Sequence, residues 1–292
     1  MHPKPKREYL RELVAEKNRW SDRQLTAEER GLGFLGWHER GYLPHCDFPG
    51  LVQFVTFRLA DSMPESRRGE WEHLLKIEDD REKRTKLEEY LDCGVGECHL
   101  RDPRIAKLAE DAMLHFHNER YELLAWCVMP NHVHVLVHVW NWPLWKMVQN
   151  WKVRVENQRR KLLLAEHRAP ARPVSDSDIN EPRRCSALQW QREYWDTFMR
   201  DEEQERTAIR YIENNPVKTK LCRLPTEWPF SSARFRDEYA WLVIPIGTPS
   251  IVSVRCCRDE KLAGTVPGVP LRPSLCCHRP TAYAAGDDSS RS

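Results

Sequence analysis

The sequence predicts an α+β fold: a split β-α-β arrangement with an antiparallel sheet, an N-terminal extension before it and a poorly ordered C-terminal tail after it. Three observations predict this. Strand-like apolar runs alternate with amphipathic stretches in the order strand, helix, strand, strand, helix, strand, helix. The two central strand runs, Tyr121–Val128 and His132–Val139, are separated only by Met129-Pro130-Asn131, a short turn that calls for antiparallel pairing. Beyond about Tyr239 the pattern decays into Pro, Gly, Ser and Cys-Cys dipeptides. The corresponding division is 1–45 for the extension, 46–238 for the main domain and 239–292 for the tail.

Taken in order, residues 7–17 suggest a short charged helix. The run 51–59 (LVQFVTFRL) is β-branched and aromatic, as a buried strand requires, and Met63-Pro64 ends it. The charged run 65–91, with Trp71, Leu74, Leu75 and Ile77 as apolar points, suggests a helix lying on the surface. Asp102-Pro103 supplies an N-cap and a proline at the first helical position. Ile105, Leu108, Ala109, Ala112 and Phe116 then form one apolar stripe. After the two central strands, Pro143 opens a helix whose inner stripe is Leu144, Val148, Trp151 and Val155. Residues 169–187 suggest a loop, 190–199 a strand, and Asp201 with Gln204 a capping box for a last helix that ends near Asn214, before Pro216. All helices are expected on one face of the sheet.

The chain has 292 residues, 46 basic and 44 acidic side chains and a net charge of +2. With a mean hydropathy of -0.71 it reads as a polar globular protein; no apolar run approaches the roughly 20 residues of a membrane-spanning helix. The charged start lacks a signal-peptide core, so a cytoplasmic location is expected. Ten cysteines without a C-x-x-C pair argue against a disulfide scaffold. Cys256-Cys257 and Cys276-Cys277-His278 lack the spacing of a zinc finger.

Two features carry chemistry. Side chains alternate along a strand, so His132 and His134 share one face while Val133, Val135 and Val137 share the other. Two imidazoles about 7 Å apart along a strand suit a shared divalent ion if a third ligand arrives from elsewhere. The bland alternative is a half-exposed strand with histidines on its outer positions, and His138 at the far end fits a bystander. On the last helix, Tyr211 and Asn215 are four residues apart and therefore on one face. A phenol of pKa about 10 is a weak nucleophile, but a Lewis-acid metal makes a phosphate attackable. A tyrosine ester then conserves the phosphodiester energy for a later rejoining step. Asn215 offers an oxygen to Mg²⁺ or Mn²⁺. Packing of Tyr211 beside Ala208 and Ile212 is the plain alternative.

The runs WCVMPNHVHVLV (126–137), YWDTFMRDEEQERTAIRYIENNPVK (194–218) and WPFSSA (228–233) together resemble the REP-associated tyrosine transposases, relatives of the single-tyrosine HUH transposases. GWHERGYLPH (36–45), FVTFRLADSMP (54–64) and GECHLRDPRIA (96–106) resemble the larger members. The likeness covers about residues 34–235. It implies a ferredoxin-like catalytic domain at 46–238 that cuts and rejoins single-stranded DNA at hairpins, REP-like palindromes, through a 5′-phosphotyrosine intermediate. It places the metal ligands at His132 and His134 and the nucleophile at Tyr211. Where the insertion-sequence relatives carry a glutamine ligand, this chain has Asn215, one methylene shorter.

Lys152, Arg154, Arg159, Arg160 and Lys161, opposed only by Glu156, form a basic helix suited to DNA phosphates. Trp142, Trp145 and Trp195 are candidates for base stacking, and His38, Arg40 and His45 for further DNA contact. Two alternatives stand beside a strand transferase: a metal-dependent nickase without rejoining, and a non-catalytic hairpin-DNA-binding regulator. The choice between monomer and dimer stays open.

Overall fold

The computed structural model describes residues 23–39, 44–77, 80–168 and 188–244. The expected helix at 7–17, Arg40, the loop at 169–187 and the tail from 245 with its cysteines lie outside the described residues. In chain order the main elements are α1 (Ala27–Leu32), β1 (Gly36–Glu39), β2 (Pro44–Asp47), β3 (Val52–Arg58), α2 (Arg68–Leu75), α3 (Asp80–Asp92), α4 (Pro103–Leu114), β4 (Tyr121–Val128), β5 (His132–Val139), α5 (Leu144–Arg168), β6 (Trp195–Phe198) and α6 (Glu202–Lys218).

The main sheet has the order β4-β5-β3-β6, with every pair antiparallel. β3 and β4 are joined through α4, and β5 hydrogen-bonds between them; this is the split β-α-β arrangement of a ferredoxin-like domain. Both strands of the central hairpin have the bounds expected from sequence. The last strand is shorter than 190–199: only Trp195–Phe198 pairs in the ladder, and Trp190 makes an isolated bridge to Leu59.

The helices do not share one face. Val133, Val135 and Val137 point with Val55 and Phe57 into a core covered by α4 and α5, whose Ala109, Met113, Met147, Val148, Trp151 and Val155 fill it. The opposite face has its own apolar cluster: Phe54, Ala125, Cys127 and Leu136 packed under Ala208 and Ile212 of α6. A bulge between Leu123 and Ala125 produces this second cluster. It reverses the alternation of β4, so Leu123 and Trp126 face α4 and α5 while Ala125 and Cys127 present small side chains to α6. Arg236 Nη2 donates to the Leu124 carbonyl at this irregularity, 2.6 Å away.

Both sheet edges are covered. Along β4, Val128 N donates to Phe230 O at 2.9 Å, Trp228 Nε1 donates to Val128 O at 2.9 Å, and Ser231 bridges Cys127. The WPFSSA run thus blocks an exposed strand edge. On the other side, the β1–β2 hairpin meets β6 through His45, whose ring sits between Asp196 and Glu193. The 45/46 division falls inside β2.

Two further helices differ from expectation. The charged run 65–91 is two helices, and the second is anchored, not merely laid on the surface: Leu87, Tyr90 and Leu91 of α3 are buried. α6 starts at the expected cap, with Gln204 N donating to Asp201 Oδ1 at 2.8 Å, although the Gln204 side chain accepts from Arg200 N and not from the cap residue. It does not stop before Pro216 but runs to Lys218. The proline lies two residues from the end, so the helix loses only the bond to the Ile212 carbonyl.

Candidate active site

His132 and His134 stand on β5, in the middle of the sheet, on the face covered by α6. They are buried, at 1% and 0% exposure, and their Nε2 atoms are 3.0 Å apart. Their outer nitrogens are held by neighbours. His132 Nδ1 lies 2.7 Å from Asn131 Oδ1. Asn131 spends its amide hydrogens on the carbonyls of Leu91 (3.3 Å) and Val95 (3.1 Å), so its oxygen must accept. The proton of His132 therefore sits on Nδ1, and Nε2 presents a lone pair to the site. Thr56 Oγ1, on the paired position of β3, lies 2.9 Å from His134 Nδ1 and holds the orientation of that ring. Burial, helped by the charges of Arg58 and Lys218, pushes the pKa of His132 down to about 3. The ring is neutral at physiological pH, the form that binds metal.

α6 brings Tyr211 and Asn215 to this pair. The Asn215 Nδ2 position is 3.3 Å from His134 Nε2 and 3.3 Å from the Tyr211 hydroxyl. The tyrosine ring stands edge-on to His134, with centroids 5.6 Å apart. Asn215 is 1% exposed, and its Oδ1 has no hydrogen-bond partner among the described residues. A half-turn of the amide exchanges its two ends and puts that oxygen where Nδ2 stands, facing His134. Two inward imidazole nitrogens and a buried amide oxygen without a partner fit a divalent ion. For an ion about 2.1 Å from each ligand, neighbouring ligand atoms stand about 3 Å apart, as the two Nε2 atoms do.

Four residues of this site were not singled out from sequence. Thr56 and Asn131 orient the histidines. Asp92, the last residue of α3, places a carboxylate oxygen within 4.8 Å of nitrogens from both rings. Lys218 Nζ, at the end of α6, bonds Asp92 Oδ2 at 2.8 Å and lies 5.6 Å from the centre of the Tyr211 ring. Asn131 is the one with a visible signal, because it sits in the turn beside His132. Asp92 and Lys218 lie 40 or more residues from the histidines and meet them only through packing.

The basic helix is elsewhere. α5 packs on the valine face of β5, so the sheet separates its core contacts from the histidines. Lys152 Nζ donates to the carbonyls of Gln191 and Arg192 at 2.7 and 3.3 Å. Arg159, 7% exposed, and Arg160 both pair with Glu156. Arg154 is half-buried and Lys161 exposed. Among the aromatic candidates, Trp142 stacks with Tyr121, and the Trp145 indole nitrogen donates to Gly33 O at 3.2 Å. Trp195 lines a depression beside Thr56 and Arg58, the β3 residues paired with His134 and His132. His45 is 1% exposed and held by two carboxylates, which removes it from the DNA-contact candidates. His138 pairs with Glu122 at 3.6 Å, away from the site.

A curated protein of Haemophilus influenzae, named as a REP-associated tyrosine transposase, is 25% identical over 112 residues. This chain resembles the REP-associated tyrosine transposases. The match takes in 38% of this chain and 58% of the length of that relative. A solved structure, described as a REP-associated tyrosine transposase bound to a REP hairpin, aligns with 71% of this chain and 88% of its own at 15% identity, with a TM-score of 0.37. No family model matches the chain. No helix among the described residues is long and apolar enough to cross a membrane.

Proposed function

We propose that this protein is a DNA strand transferase of the REP-associated transposase type, which cuts and rejoins single-stranded DNA at hairpin sites, REP-like palindromes, through Tyr211. One observation carries the reading: the Tyr211 hydroxyl, Asn215, His134 and His132 form an unbroken series of contacts of 3.3, 3.3 and 3.0 Å within one chain. The resemblance to a relative named as a REP-associated tyrosine transposase supports the substrate class.

His132, His134 and Asn215 would hold a divalent ion, Mg²⁺ or Mn²⁺. Bound there, it supplies Lewis-acid polarisation of the scissile phosphate. Tyr211 Oη attacks phosphorus; a tyrosine O–P bond forms and the P–O3′ bond breaks. The phenol gives up one proton and the departing 3′ oxygen takes up one. The products are a 5′-phosphotyrosine and a free 3′-OH. Attack by a 3′-OH on the same phosphorus reverses these changes and releases the phenol. Asn215, one turn along α6, holds the Tyr211 hydroxyl on the histidine side. Lys218 adds positive charge beside the ring, where the phosphate must lie. The burial of both imidazoles keeps water from their inner nitrogens. The basic helix, across the sheet, serves as a remote phosphate contact for the flanking strand, through Arg154, Arg160 and Lys161.

The test is a labelled single-stranded hairpin incubated with the protein and Mn²⁺, then run on a denaturing gel. The expected outcome is a protease-sensitive shifted band, lost in Tyr211→Phe while hairpin binding persists. Free 5′-phosphate ends with no adduct would make the protein a nickase. Activity indifferent to chelation would make it a binding protein only. An adduct formed in full by Tyr211→Phe would remove the assigned nucleophile.

A further inference from the structure

We propose that Asp92 is a direct ligand of the divalent ion, adding a carboxylate from α3 to the imidazole pair of β5; this rests on the metal-dependent reading given above. One oxygen of Asp92 and one nitrogen from each of His132 and His134 lie within 4.8 Å of one another. The Asp92 side chain is 11% exposed. Its two oxygens are in different situations. Oδ2 accepts from Lys218 Nζ at 2.8 Å, whereas Oδ1 is buried without a hydrogen-bond partner among the described residues. A buried carboxylate oxygen in that state is costly unless something accepts its lone pairs. An ion between Asp92 and the histidines does so and leaves the lysine contact intact.

The position of Asp92 is fixed by the same residue that orients His132. Asn131 donates to Leu91 O, immediately before Asp92, and to Val95 O, three residues after it, while its own oxygen accepts the His132 proton. One side chain thus sets the ring of one ligand and the backbone on both sides of another. The turn that follows is equally constrained: Gly96 has a φ of +100°, and a Cβ there would stand 2.7 Å from the Asp61 carbonyl. The chemistry points the same way. Two neutral imidazoles and a neutral amide leave the whole charge of a dication uncompensated, and Mg²⁺ and Mn²⁺ favour anionic oxygen ligands. Asp92 brings both the oxygen and the charge.

The rival role for Asp92 is as the ion-pair partner of Lys218 alone, and the experiment separates the two. Mn²⁺ affinity is measured by calorimetry on the full chain, without DNA, for the wild type, Asp92→Asn, Lys218→Met and His132→Ala. The expected result is a loss of about tenfold or more in Asp92→Asn, with the affinity of Lys218→Met retained or increased. If Asp92→Asn binds Mn²⁺ like the wild type while His132→Ala does not, the inference fails and the metal-dependent reading survives. If His132→Ala also binds like the wild type, both fail. A second variant covers misfolding of the first. Asp92→Cys should take up Cd²⁺ with a sulfur-to-metal absorption band beyond that of the wild type, and the added band should disappear when His132→Ala is combined with it. No added band, or one indifferent to His132→Ala, overturns the assignment.

Discussion

At the scale of single residues, the geometry of the candidate site depends on side chains outside the proposed ligand set. Thr56 is 8% exposed, faces His134 from the partner strand and fixes which ring nitrogen points inward. Thr56→Val keeps the shape and removes the hydroxyl, so His134 loses the hydrogen bond that holds its ring in place. Mn²⁺ affinity is expected to fall about tenfold, with a stability cost of only about 1 kcal/mol. Calorimetry with Mn²⁺ and a denaturant titration check the pair of values; an unchanged affinity would remove the orienting role. The proposal of Tyr211 as nucleophile comes from its neighbours in sequence. Helix spacing alone fits packing equally well, and the ring does pack, edge-on against Phe54. The packing contact and the proposed role are compatible in one side chain.

At the scale of elements, the β1–β2 hairpin is joined to β6 by a buried charge cluster. Burial pulls the pKa of His45 down, but the hydrogen bonds and charges of Asp196 and Glu193 outweigh it and leave the value raised above 6.5. The sign follows: a raised histidine stabilises fully below pH 6.5, and the contribution is lost as pH rises through the folded-state value. The neighbouring Asp47 is pushed up to about 6 by burial, so its own effect is complete below that window. Thermal stability is therefore expected to decline as pH rises above 6.5, and His45→Gln should flatten that decline. A melting series across these pH values measures it; the same slope in both proteins would rule the cluster out as its source. The same scale explains why α6 passes through Pro216. Its far end carries Asn215 and Lys218, and their contacts with His134 and Asp92 hold the last turn in place.

At the scale of the molecule, the sheet separates a large apolar core on one face from the candidate site on the other. α4 and α5 bury the valine face; α6 and the end of α3 stand over the histidine face. Under the proposed function, a strand held at Tyr211 would reach the basic helix only by passing an edge of the sheet. If the hairpin wraps in this way, Arg160→Ala combined with Lys161→Ala removes two phosphate contacts. The logarithmic dependence of affinity on salt should then become shallower by about 1 to 1.5. Hairpin binding titrated at several salt concentrations reports the slope, and an unaltered slope would confine the DNA to the histidine face.

The amino-acid sequence determined what local physics controls. Period-two alternation set His132 and His134 on one face, the Met-Pro-Asn turn set the hairpin, Asp102-Pro103 and Asp201 set two helix starts, and spacing of four put Tyr211 above Asn215. The tertiary structure alone decided which face each helix covers, because a single bulge in β4 reverses the alternation and no composition signal marks it. It also decided the company of the histidines. Asp92 ends a helix whose sequence is charged almost throughout, and Thr56 sits within an apolar strand, so neither has a local pattern that sets it apart. Contacts between residues 40 to 80 positions apart arise from how the sheet and helices pack, and packing is a property of the whole chain.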